Sequence, residues 1–124
     1  MKQIIAYIRP DVLERVTEAL RSIHDLTGMS VMETKGFGKG KGSSCQDQSD
    51  TEITYLSKKV RIELMVSDAI VWEVVNKIQQ TAWAGERGEG KIYVLNVEEA
   101  VRIQTNERGE VAVDSVKGFM KNGD

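Results

Sequence analysis

QIIAYIRPDVLERVTEALRSI, residues Gln3–Ile23, changes its apolar rhythm at a single proline. Up to Ile8 the stretch is β-branched and aromatic, the composition of a strand, and alternation sets Ile4, Ala6 and Ile8 against Ile5 and Tyr7. Pro10 ends that strand and pre-sets the backbone for a helical first turn, to which Asp11 adds negative charge. From Val12 onward, Val12, Val16, Ala19, Leu20 and Ile23 return at helical spacing, while Glu14, Arg15, Glu18 and Arg21 face outward. The stretch is therefore a strand joined directly to an amphipathic helix.

Outward from this unit the same alternation recurs. LTGMSVMETKGF turns at Gly28 and comes back as a second strand, and KVRIELMV, Lys59–Val66, is a third. Ser67 and Asp68 offer caps to a helix carrying Ile70, Val71, Val74, Val75 and Ile78, which Gly85 closes. KIYVLNV, Lys91–Val97, supplies the last strand. The order β-α-β-β-α-β predicts an α+β, ferredoxin-like sandwich: a four-stranded antiparallel sheet with both helices on one face. In the last strand Ile92 and Val94 alternate against Tyr93, Leu95 and Val97, so both sheet faces are apolar while two helices cover only one. A bare apolar sheet face is a liability for a monomer, and the sequence predicts an oligomer packed through it.

At 124 residues the chain holds one core, not two. Its net charge of -2 is spread through interleaved acids and bases, with no basic face of the kind that binds nucleic acid. No run is apolar enough to enter a bilayer, and MKQIIAYIRP lacks the pattern of a secretory signal, which points to the cytoplasm. One cysteine, Cys45, rules out an intrachain disulfide and, with one histidine, His24, leaves little material for a soft-metal site.

Two glycine clusters remain, KGFGKGKGSS at Lys35–Ser44 and GERGEGK at Gly85–Lys91. Glycines permit positive φ and close approach of the backbone to a ligand, and successive amides can form an anion-binding nest. Lys91, at the mouth of a strand, and Arg102, just past it, carry charges suited to phosphate oxygens. Neither cluster is a Walker A loop or a Rossmann fingerprint, and each alone reads equally well as a hinge. The long polar excursion after the first cluster is of the kind that usually carries function in a compact domain.

In this order and spacing, IIAYIRP, GMSVMETKGFGKGKG, KVRIEL, GEGKIYV and VEEAVRIQTNERGE resemble the PII signal-transduction proteins to about Val113. The resemblance implies a homotrimer without substantial catalytic activity or prosthetic group. Such a protein binds ATP or ADP in clefts between subunits and regulates a target protein, a transporter or an enzyme, through the shape of a T-loop. It also implies a domain of residues 1–113, with the T-loop at about 38–58, a B-loop at 85–91 and a C-loop at about 102–110, followed by a tail, 114–124. By the same resemblance Gly36, Phe37 and Gly38 form the T-loop base, and Gly88, Glu89 (usually Asp), Gly90 and Lys91 embrace the phosphates. Arg102 would reach them from the neighbouring subunit, while Ile8, Ser30 (usually Thr), Glu63 and Leu64 frame the adenine.

The chain also leaves that pattern. Gly40 stands where a glutamine usually helps hold the magnesium that binds 2-oxoglutarate, and glycine offers no ligand atom to a hard octahedral cation. Magnesium-dependent 2-oxoglutarate sensing is therefore not expected. Gln104 replaces a second C-loop arginine, so ADP or AMP is expected to bind as well as ATP. Glu52 takes the place of the tyrosine that many members uridylylate; Tyr55 reads as packing at the loop base, Ser49 as an ordinary loop serine, and Asp47, Asp50 and Glu52 as an acidic tip. Some PII-like proteins sense small anions such as bicarbonate in inorganic-carbon uptake or carboxysomes. Lys39, Lys41 and Lys59, with the amides of Gly40 and Gly42, form a candidate small-anion site of that kind, set against solvated lysines beside a hinge.

His24 reads as a cation at the end of the first helix, and Trp72 and Trp83 as packing at the core edge or a subunit interface. In the tail, Val116, Phe119 and Met120 have the spacing of a short amphipathic turn, to be weighed against a terminus without order. Two other classes compete with the sensor. One is a trimeric scaffold or metal-tolerance protein of the related CutA architecture, disfavoured by scarce soft-metal ligands. The other is a weak ATPase, for which no residue stands out to activate a water.

Overall fold

The computed structural model describes residues 1–37, 56–85 and 90–114. Strand β1 is Lys2–Ile8, a 3-10 turn follows at Pro10–Val12, and α1 is Leu13–Arg21. β2 is Ser30–Gly36, β3 Ser57–Val66, α2 Val71–Ala82 and β4 Ile92–Asn96; a short α3, Glu110–Val113, closes the described chain. The strands form one antiparallel sheet in the order β2-β3-β1-β4. Each βαβ unit is thus split by a strand of the other, which is the ferredoxin-like α+β arrangement.

Pleating decides the core. Ile4, Ala6 and Ile8 of β1 stand beside Leu64, Ile62 and Val60 of β3 in register, and all six are buried on the helix side. Val16 and Leu20 of α1 and Val74 and Ile78 of α2 fill that layer from above. The helices run antiparallel, and Arg15 Nε of α1 donates 2.7 Å to the carbonyl of Thr81 near the end of α2. That places a cation on carbonyls the helix itself leaves open.

Local expectations meet three corrections. Ser67 and Asp68 do not cap α2: the N-cap is Ile70, and Ile70 N–H donates to the Ser67 carbonyl in a preceding turn. Ser67 is buried, and Asp68 turns away to the Met1 ammonium at 2.9 Å. His24 does not cap α1, which ends at Arg21 with Ser22 Oγ donating to the Ala19 carbonyl; the imidazole instead lies 3.9 Å from Asp25. Trp72 and Trp83 do not pack at the core edge of this chain, being 61% and 63% exposed.

The face away from the helices is as the alternation predicts. Ile5, Tyr7, Tyr93, Leu95, Met32 and Met65 belong to it by register, and the last four are exposed. The Tyr7 and Tyr93 rings meet edge to face, with centroids 6.4 Å apart. A polar line crosses this surface. Gln3 Nε2 donates 2.6 Å to Glu63, whose other oxygen lies 3.6 Å from Arg61 Nη2, and Arg61 Nη1 donates 3.2 Å to the Tyr7 hydroxyl. Among the described residues, Arg61 Nε is buried without a hydrogen-bond partner. No helix of the described residues is long and apolar enough to cross a membrane.

Candidate functional site

Strand direction sorts the loops to two ends of the sheet. β1 finishes where β2 finishes, where β3 and β4 begin, and where α2 has just ended, so the segments flanking 38–55 and 86–89 share that end. Gly36 faces Ser57 in register, and Ser57 Oγ donates 3.3 Å to the Gly36 carbonyl. Phe37 follows, 60% exposed. Across the sheet the segment 90–91 is clamped to β1, with Tyr7 N–H donating 3.0 Å to the Lys91 carbonyl.

Gly90 is the tightest point of that clamp. Its φ is +100°, and a Cβ built on it would lie 1.6 Å from the Tyr7 carbonyl oxygen. Only glycine fits there. Next to it is a cavity of about 300 Å³, lined by Tyr7, Ile8, Ile78, Trp83, Gly90 and Lys91 among others. Its walls are mostly apolar and Lys91, exposed at the mouth, brings the charge.

The opposite end holds the segment after β4. Val97 N–H donates to the Met1 carbonyl, and the chain then folds into a loop closed by the Val101–Arg108 bridge, with Asn106 at φ 63°. Arg102 organises this loop from inside. Its Nη1 lies 3.0 Å from Glu107 Oε1, and its Nη2 donates to the carbonyls of Val111, at 2.8 Å, and Asp114. The side chain is only 13% exposed. The Met1 ammonium adds an outer tie, 2.9 Å from both Asp68 and Glu110. The Glu110 and Asp68 hydrogen bonds raise the ammonium above its ordinary value, and the same bond holds Asp68 below its own.

The residues singled out in the sequence therefore fall into two groups. Ile8, Gly36, Phe37, Gly90 and Lys91 gather at one end. Ser30 and Glu63 face each other in register further along the sheet, and Arg102 lies at the far end. Met1 and Tyr7 are separated by nearly the whole of β1, on the order of 20 Å at strand rise. The side chains of Ile8 and Leu64 are 2% and 1% exposed on the helix side, so these positions offer main chain rather than side chain to any cleft. Tyr7 and Arg61, which face the open side, were not singled out; period-2 alternation alone would have placed them beside Glu63. Lys59 faces Thr34 in register, next to the same strand ends. Gly38, Lys39, Gly40, Lys41, Gly42, Cys45, Asp47, Ser49, Asp50, Glu52, Tyr55, Gly88 and Glu89 lie outside the described residues, as does the tail beyond Asp114.

A model of the family "Nitrogen regulatory protein P-II" matches residues 1–107, through both glycine clusters and Arg102. The chain belongs to the P-II family. It is 44% identical over 113 residues to the nitrogen regulatory protein P-II of Rhodospirillum rubrum, covering 91% of this chain and 100% of that protein. Identity is 41% to the P-II protein of Bradyrhizobium diazoefficiens and to nitrogen regulatory protein P-II 1 of Escherichia coli K12, with the same coverage. P-II proteins are signalling regulators rather than enzymes, which removes the ATPase reading, and the family match replaces the CutA-like one.

Proposed function

We propose that this P-II chain is a cytoplasmic homotrimeric sensor that holds ATP, ADP or AMP in clefts between subunits and passes the occupancy to a target protein through the segment 38–58. In this reading 1–113 is the sensing domain, and each cleft takes Gly36, Phe37, Gly38 and Gly88–Lys91 from one chain. The neighbour supplies Arg102, while Ile8, Ser30, Glu63 and Leu64 frame the adenine. The observation that carries it is the separation of Lys91 from Arg102 by the length of β1, because two cations so placed serve one phosphate chain only when they come from different copies. The uncovered face with Tyr93 and Leu95, and the unpaired Nε of Arg61, support packing of copies against one another. Arg102, engaged here with its own loop, would exchange carbonyl partners for phosphate when a neighbour presents one.

Titration calorimetry with ATP, ADP and AMP, each with and without magnesium, 2-oxoglutarate or bicarbonate, tests this. Saturable binding of at least one nucleotide is expected, weakened at least tenfold by Lys91→Ala and nearly indifferent to magnesium. No binding of any of the three, or a large magnesium-dependent preference for ATP, would contradict it.

A further inference from the structure

Beyond this reading, and independent of it, we propose that the C-terminal segment of the same chain, Val116–Lys121, docks in a groove between the end of α1 and the turn before β2, with Phe119 and Met120 seated in it. The groove has a volume of about 300 Å³ and is lined by Thr17, Leu20 and Arg21 of α1 and by Leu26 and Met29 of the turn. Leu26 and Met29 pack on the core from one side, leaving the groove an apolar floor. The point from which the segment departs is fixed at its rim. Arg102 holds the carbonyls of Val111 and Asp114, and Thr27, itself on the rim, donates 3.5 Å to the carbonyl of Val113.

From Asp114 to Phe119 the chain spans up to about 17 Å extended and about 7 Å as helix, so the anchors reach the groove in either form. An aromatic side chain gains most from such burial, and methionine fills irregular space beside it. The segment lies past residue 107, where the family match ends.

Amide hydrogen exchange on the full-length protein tests the docking. Residues 20–29 are expected to exchange several-fold faster in a Phe119→Ala, Met120→Ala double variant while α2 is unaltered; equal exchange in both proteins overturns the proposal. A second test pairs Thr17→Cys with Phe119→Cys in a Cys45→Ser background under mild oxidation. A disulfide within one chain is expected. A band of twice the mass would place the segment on a neighbouring copy and overturn same-chain docking, and absence of any disulfide would overturn docking altogether.

Discussion

At Gly90 one missing side chain decides how a loop meets a strand. The backbone there is left-handed and in contact with the Tyr7 carbonyl, which cannot retreat without breaking the β1 ladder. Gly90→Ala is expected to cost about 1–3 kcal/mol in denaturant unfolding and to displace Lys91, whereas Gly28→Ala, with nothing among the described residues within 4 Å of its added Cβ, should leave stability within about 0.5 kcal/mol. Equal stability of the two variants would count against the clamp. This distinction was not legible in the sequence. Gly36 and Gly90 both sit in glycine-rich motifs, yet a Cβ at Gly36 meets nothing among the described residues, because steric need depends on which strand lies opposite.

The elements themselves were legible, because each rests on local periodicity. Pro10 switched the chain from alternation to helical spacing, and β1 and α1 lie on either side of it. What failed was end chemistry. Ser67 and Asp68 have the composition of a cap, but their turn buries the serine and hands the aspartate to an ammonium group 67 residues away in sequence. The tie among Met1, Asp68 and Glu110 makes the C-terminal loop sensitive to pH. The ammonium, raised above 8.0, stabilises fully below that value and loses its effect as pH climbs through the raised pKa. Asp68, lowered from 3.8, stabilises above that value and stops doing so as pH falls through the lowered one. The melting temperature should therefore decline on both sides of this window, and Asp68→Asn should flatten both declines. Unchanged alkaline and acid limbs in Asp68→Asn would show that the Asp68 arm of the tie contributes nothing.

On the scale of the molecule, the fold sets Lys91 and Arg102 at opposite ends of β1 within one chain. Sequence order could not reveal this, since the sheet order β2-β3-β1-β4 and its register decide which end each loop occupies. The surplus apolar face was readable from Tyr93 and Leu95 alone, and in the proposed assembly it would bring one chain's end to another's. The most direct measurement mixes two defective proteins. Lys91→Ala and Arg102→Ala chains, each expected to bind nucleotide at least tenfold more weakly as pure assemblies, are co-refolded and titrated. The account predicts that mixed assemblies recover binding in the clefts that pair an intact Lys91 with an intact Arg102 from the other chain; mixtures no better than either parent would contradict it.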